Sequence, residues 1–408
     1  MFGGCVAPYV PYDRKQVPTA DSFARAADPN PTVRAEAAAD LAVDPDPRAA
    51  QMLAVLLQRD TTPSVRGAAA AAIAARRDPD LDDLLTAAAA TDPDQSVRAE
   101  AQAAHEKLYP WSKRPGTAAG LSLLCPGCGE IYLGNTGTGA AQIGVTAALI
   151  VSGFELVNGH TANLSGPVDS ASTSVGFALI EAGQNSWFYS IFDAYRDARV
   201  LRGDAGYHHP MTHETLADLA SAPFRPSVLS SPWLWGGVPL TLALGLGVTY
   251  LSDRSGFTAN PSIFHTRSIN VLGHNFGNGG GFAAGEGYYL SLFDPVGVGE
   301  ESLFRGVIQN ELDERFGQWG GLALGSAIFG AVHTLNFLAP GSDPKQALIA
   351  VPVIAVLGST LGLAFIKTGY HLETSVAMHF WYDFLLSTAD FIVDPQHQPF
   401  VVQYGAAF

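Results

Sequence analysis

Two patterns of apolar and polar positions divide the chain. In the first third, Ala- and Leu-rich segments alternate with short polar turns. Three such segments align: "DPNPTVRAEAAADLA" from Asp28, "DTTPSVRGAAAAAIA" from Asp60 and "DPDQSVRAEAQAAHE" from Asp92. Val33-Arg34, Val65-Arg66 and Val97-Arg98 therefore recur every 32 residues. In each unit Asp, Pro and Ser/Thr suit a turn and a helix N-cap, and an Ala-rich helix follows. "AAQMLAVLLQR" and "LDDLLTAAAA" supply partner helices. A fixed period in this range marks a solenoid, whose units bury their apolar stripes by stacking.

After "YPWSKRPG" the pattern changes to long apolar runs. Segments 138–158, 172–192, 232–251, roughly 276–297, 319–338, 347–366 and 374–393 are each about the length that crosses a bilayer core as a helix, ~20 residues. The fold class predicted is all-α: an α-solenoid followed by a transmembrane bundle of about seven spans. Basic residues set sidedness. Lys107, Lys113 and Arg114 precede the first span, and Arg196, Arg199, Arg202 and Arg225 follow the second. The connecting "HTANLSGPVDSA" has no Lys or Arg, so both flanks and the repeats are expected in the cytoplasm. Arg254 and Arg267 run against this scheme, in a loop it puts outside.

Composition agrees with a soluble part fused to a membrane part. Of 408 residues, 47% are hydrophobic and 15% charged, with 43 glycines; mean hydropathy is +0.14. A net charge of −15 argues against nucleic acid as a partner. Three cysteines are too few for a disulfide framework. Cys125 and Cys128 have CxxC spacing without the second pair of a zinc site, and read as a structural turn or a redox or metal pair. "MFGGCVAPYV" has neither the charged nor the apolar region of a signal peptide. Its Gly-Gly-Cys5 looks like the end of a lipoprotein cleavage site, which the cytoplasmic placement of the repeats opposes.

The segment 20–110 resembles HEAT-type repeats of the short bacterial kind. Such a stack binds partners or acts as a passive spacer. Arg34, Arg66 and Arg98 are expected to bridge neighbouring repeats. Over 118–202, "PGCGEIYLG" resembles the PGxGxxYxG opening of small two-helix membrane modules, and "WFYSIFDAYRDARV" resembles their close. That resemblance implies no chemistry. Glu155, Glu181 and Asp193 are read there as bundle or interface contacts.

Charge inside apolar helices costs several kcal/mol unless it is paired or functional, roughly 2.5–3.5 kcal/mol per residue on insertion scales. In "VGEESLFRGV", read as a helix, Arg305 lies four residues after Glu301 and shares its face. Glu300 is rotated by about 100° and left without that partner. His333 follows Phe329 by one turn in the 319–338 span, and His379 precedes Asp383 by four residues in the 374–393 span. Two histidines and two carboxylates on three apolar helices point to a functional site.

The set Glu300-Glu301…Arg305, Phe329…His333 and His379…Asp383 has the EExxxR, FxxxH and HxxxN/D pattern of the CPBP (CAAX protease and bacteriocin-processing, Abi) family. The chain is similar to it over about 230–395. The resemblance implies intramembrane proteolysis of a membrane-associated peptide or protein, in a bacterial inner membrane. By motif, Glu300 and His333 would hold and activate a water, His379 and Asp383 would face that water or the carbonyl oxygen, and Glu301 and Arg305 would form a structural pair. Asn336, three residues after His333, would support the imidazole or the substrate, or cap the helix end. With zinc, Glu300, His333, His379 and Asp383 would be the ligands and the bound water would have a pKa of ~7. Without it, Glu300 would be the general base. Asp383 replaces the amide found in some members and cannot donate to an oxyanion while ionised. It points toward a metal, or toward His379 as the sole oxyanion donor.

His371 is read as a loop residue; His208, His209 and His213 have metal-compatible spacing in a polar loop. Two further functions fit parts of this pattern. One is an inactive membrane scaffold binding a partner through the repeats. The other is a transporter with a carboxylate–histidine relay, for which no inverted repeat is visible.

Overall fold

The computed structural model describes residues 19–158, 171–204, 206–252, 262–338 and 347–395. Cys5 and Arg254 lie outside these residues, as does the side chain of Asn336. The chain divides into two units, Met1–Arg114 and Pro115–Phe408.

The first unit is a helical stack: α1 (Thr19–Arg25), α2 (Pro31–Val43), α3 (Pro47–Arg59), α4 (Pro63–Arg76), α5 (Asp82–Thr91) and α6 (Gln95–Ser112). Helices α2, α4 and α6 pack side by side, and α3 and α5 cover them. Proline at the first position starts α2, α3 and α4, where its missing N–H costs nothing. Leu41, Leu53, Ile73, Leu85, Ala101 and Leu108 are fully buried between the layers.

The repeated Asp sits two residues before the N-cap. Asp28, Asp60 and Asp92 accept from the amides of Asn30, Thr62 and Asp94 at 2.7, 2.8 and 2.9 Å. Asp60 also receives Nε and Nη2 of Arg34 at 2.7 and 2.9 Å, and Asp92 receives both from Arg66 at 2.8 Å. Two of the three arginines thus tie one unit to the next. Hydrogen bonds from these guanidiniums hold the Asp60 and Asp92 carboxyls below the usual carboxylate range. Arg98 keeps the backbone half of the pattern, donating to the carbonyls of Asp92 and Pro93. Among the described residues it has no carboxylate partner, because the repeat that would carry one is not there.

The second unit opens with two short helices, α7 (Pro115–Leu124) and α8 (Cys128–Leu133). Then come α9 (Thr136–Asn158), α10 (Ala171–Leu201), short α11 (Leu216–Ser221) and α12 (Pro226–Leu229), and α13 (Pro232–Ser252). A two-stranded hairpin, β1 (Ser268–Val271) and β2 (His274–Gly277), precedes α14 (Asn278–Glu301). A π-helical stretch, Ser302–Gln309, leads into α15 (Asn310–Val332), followed by α16 (Ala347–Lys367) and α17 (Leu372–Val393).

Three expectations need correction. The fold is mostly helical but not all-α. The strands pair antiparallel with Ser268 opposite Gly277, around a turn at Leu272 and Gly273, both with positive φ. Helices of 21–31 residues occupy the seven apolar segments. Among the described residues two of them, Thr136–Val157 and Ala347–Lys367, are apolar enough along a full window to stand as candidate spans, rather than seven. Glu286, Asp294 and Glu300 interrupt α14, and Glu181, Gln184 and Asn185 interrupt α10. The third correction is the "EESLFRG" segment, which is α-helical only as far as Glu301.

Helix α10 shares a core with the C-terminal helices. Phe192 and Tyr195 pack in one cluster with Val298, Val307, Leu361, Phe365 and Val376. Gly299 and Gly306, seven residues apart, face Asn185 and Phe192, also seven apart. A Cβ at Gly299 would lie 2.4 Å from Asn185 Oδ1, and one at Gly306 would lie 2.4 Å from Phe192 Cδ2.

Candidate active site

The site is built where α14 passes into the π-helix. A π-helical turn is uncommon and is frequent at functional sites. Here its residues Arg305 and Gln309 donate to the carbonyls of Gly358 and Gly362 on α16, at 2.9 and 3.2 Å. Arg305 and Gln309 are four apart, as are the two glycines, so two helical ridges run in step. Any larger residue at 358 would strike Phe329, with its Cβ 2.8 Å from the ring.

Glu301 has no exposed side-chain surface and Arg305 only 2%; they pair at 2.8 Å. The same carboxylate oxygen, Glu301 Oε1, lies 2.9 Å from His379 Nδ1. The guanidinium of Arg305 also lies 4.3 Å from the Phe329 ring centroid. Phe329 is packed edge-on by Phe304 at 4.9 Å, and the His333 ring lies 4.6 Å away. The Phe329 ring thus touches both the buried cation and His333.

Glu300 points away from Arg305. Its Oε2 lies 3.9 Å from His333 Nε2 and 4.0 Å from His379 Nε2. Both gaps are too long for a direct hydrogen bond. Among the described residues Glu300 Oε2 is buried without a hydrogen-bond partner. His333 is the first residue past α15, and its Nδ1 lies 2.7 Å from the Phe329 carbonyl. That acceptor requires the proton on Nδ1 and turns the lone pair of Nε2 toward Glu300. His379 Nε2 lies 3.3 Å from Asp383 Oδ2. A carboxylate therefore faces each nitrogen of His379. Glu300, His333, His379 and Asp383 come together; Glu301, Arg305 and Phe329 lie directly behind them. Asn336 falls in the short 3-10 stretch His333–Leu338.

An apolar cavity lined by Phe329, Ile354, Leu357 and Leu361 opens on the two histidines, with Thr241 and Tyr382 at its edge.

Residues 287–385 match the family described as type II CAAX prenyl endopeptidase Rce1-like, and 21–105 match HEAT repeats. The chain joins a Rce1-like CAAX prenyl endopeptidase domain to N-terminal HEAT repeats. Compared with curated proteins and with solved structures, it matches none. The Rce1-like family is one of integral membrane proteases, so membership implies a protease acting on membrane protein substrates.

The residues of the Rce1-like domain do not fit a zinc site as placed. Among the described residues no three His, Cys, Asp or Glu side chains group as a metal ion needs. A ligating imidazole must offer a lone pair, and both nitrogens of His379 face carboxylates instead. The loop histidines have other contacts: His208 pairs with Glu314, and His209 stacks on Tyr370 at 4.1 Å. His371 is the N-cap residue of α17 and lies 3.6 Å from Glu214.

Sequence reasoning left out three contributors. Glu181 was assigned to bundle contacts. Its Oε1 accepts from Asn185 Nδ2 at 3.2 Å. Asn185 is 1% exposed and sets how near α10 comes to Gly299, the residue before Glu300. Glu214 accepts the amides of Leu372 and Glu373, both at 3.1 Å, and so caps the helix carrying His379. The polarity of Glu181 and Asn185 in an apolar segment was the available signal. Of the other two acids, Asp193 pairs with Arg196 and accepts from Gln142 Nε2 at 2.7 Å, while Glu155 is exposed.

Proposed function

We propose that this chain is an intramembrane endopeptidase in which Glu300 and His333 hold and activate the hydrolytic water. The observation that carries this reading is the unpartnered Glu300 Oε2, with imidazole nitrogens 3.9 and 4.0 Å away. Gaps of that size suit one shared water. The water's two hydrogens meet two acceptors, Glu300 Oε2 and His333 Nε2, which leaves a lone pair for the scissile carbonyl carbon. Glu300 takes the proton as the oxygen attacks. His379, held at Nδ1 by Glu301, turns its Nε2–H from Asp383 to the developing oxyanion. The proton on Glu300 then passes to the leaving amine as the C–N bond breaks. Water and one peptide bond give one carboxylic acid and one amine, and the acid's proton ends on the amine as carboxylate and ammonium.

The two candidate spans, Thr136–Val157 and Ala347–Lys367, hold the unit in the bilayer. The repeats then lie on the cytoplasmic side, set by Lys107, Lys113, Arg114, Arg202 and Arg225, where they recruit a membrane-associated peptide or protein.

The test compares membrane-protein fragments in cells making the wild type and Glu300→Ala, with insertion of both checked by membrane fractionation. Fragments present only with the wild type, and lost again in His333→Ala, are expected. Equal fragments in all three refute the mechanism. A wild type that inserts and yields no fragments against any membrane substrate favours a scaffold.

A further inference from the structure

We propose that Cys125 and Cys128 form a reversible dithiol–disulfide site, open to exchange with dithiol reductants, at the membrane-side end of the segment that follows the repeats.

The two sulfurs are bonded, with Cα atoms 5.4 Å apart. Both residues are half-buried, in the turn between α7 and α8, so a reagent reaches them without unfolding the chain. The turn does not depend on the bond. Cys125 N donates to Leu121 O, and Cys128 N donates to Cys125 O, both at 3.0 Å. Ile131 N donates to Gly127 O at 3.1 Å, and Gly129 N donates to Ser122 Oγ at 3.1 Å. Gly127 has φ 82°, and a Cβ there would lie 2.3 Å from Gly139 O, so the backbone is closed tightly against α9. These contacts bring the cysteines together in either oxidation state. The frame of the turn is Pro126, Gly127, Gly129, Tyr132 and Gly134; the sulfurs are additional to it.

A disulfide closing so short a loop removes little entropy from the unfolded chain, so it is a poor staple. The basic residues Lys113 and Arg114 put this turn on the cytoplasmic flank, where disulfides are transient, catalytic or redox-sensing. In the exchange, one thiolate of a dithiol attacks a cysteine sulfur and the other cysteine leaves as thiolate. The second thiol of the reductant then attacks the mixed disulfide. Two electrons pass to the protein, the two cysteines end as thiols, and the reductant ends as a disulfide.

The experiment uses the full chain in detergent micelles, equilibrated in buffers of reduced and oxidised dithiothreitol and quenched with a maleimide. Mass spectrometry of the peptide carrying residues 125–128 counts blocked thiols. The expected result is a single two-electron transition, from no blocked thiols to two per chain, reversible on returning to oxidised buffer. Circular dichroism and the thermal midpoint should match in the two states. The proposal fails if the bond resists excess dithiothreitol until the chain is denatured. It also fails if both thiols are free in every buffer, or if reduction unfolds the protein. None of these outcomes depends on the proteolytic reading, which the Glu300→Ala comparison tests separately.

Discussion

The repeat unit and the membrane unit treat charge in opposite ways. In the repeats, Arg34 and Arg66 each meet an Asp one unit on, and the bond recurs with the period of the sequence. In the membrane unit, Glu301, Arg305 and His379 satisfy one another out of reach of water, while the neighbouring Glu300 does not share in that network. Paired charge in the first case joins identical modules. In the second it accompanies a neighbouring carboxylate, Glu300, whose free oxygen is the one proposed to hold the water. The difference teaches that an ion pair at four-residue spacing is informative chiefly through the charge it leaves over.

The sharpest test of that contrast exchanges the two kinds of carboxylate for amides. Glu300→Gln should lower cleavage by about 10²–10⁴-fold, the range for losing a general base, and leave the thermal midpoint in detergent unchanged or higher. Asp92→Asn should do the reverse, keeping cleavage and lowering the stability of the repeats in urea. Arg305→Leu comes next. It strands Glu301 in the interior and should cost roughly 3–5 kcal/mol, as breaking a buried pair does. Its readout is the thermal midpoint, and Glu301→Gln combined with Arg305→Leu should recover part of the loss. An Arg305→Leu protein as stable as wild type would mean that the pair is not buried.

Gly306→Val would push α10 off the helix carrying Glu300. A cost of about 1–3 kcal/mol is expected from overpacking against Phe192, and Phe192→Ala in the same chain should relieve it. Within the repeats, Arg66→Ala should cost roughly 1–2 kcal/mol, between an exposed and a buried pair, and Arg98→Ala clearly less. Equal urea shifts for the two would show that the ladder contributes nothing beyond its backbone contacts.

The smallest effect concerns pH, at the contact of Glu214 with His371. Burial pushes the Glu214 carboxyl up, but the His371 imidazole 3.6 Å away and hydrogen bonds from Thr212 and the amides of Leu372 and Glu373 outweigh it and leave it below its ordinary 4.5. The nearby Glu214 carboxylate raises His371 above its ordinary 6.5. Glu214 therefore adds stability that is complete above pH 4.5 and is lost as pH falls through its lowered value. His371 adds stability that is complete below pH 6.5 and is lost as pH rises through its raised value. Both contributions are whole between those two values. His371→Ala should flatten the alkaline side of the midpoint–pH curve and leave on the acid side only the part of the Glu214 contribution supplied by Thr212 and the two amides.

Much of this was legible because it is local or periodic. The 32-residue recurrence of Val-Arg implies stacking without any knowledge of the fold, since every unit solves the same packing problem. The spacing of Glu301 and Arg305 implies a pair because one helical turn brings them together even where the helix widens to π geometry. The hairpin at 268–277 went unread because each strand has only four residues: Ser-Ile-Asn-Val alternates polar and apolar too briefly to stand out, and His-Asn-Phe-Gly is exposed throughout. The role of Glu214 was illegible for another reason. It caps a helix 158 residues further along the chain, and no local pattern encodes that contact.

By itself the sequence determined the repeat period, the apolar helices and the order of the three charged motifs, since helix formation and burial depend on residue type and spacing. Only the tertiary structure decided that Glu301 holds His379 as well as Arg305, that Phe329 touches both the cation and His333, and that α10 lays Asn185 against Gly299. Those relations join segments that sequence spacing does not relate. They follow from how close the helices can approach, which the glycines at 299, 306, 358 and 362 permit and the packed side chains across from them limit.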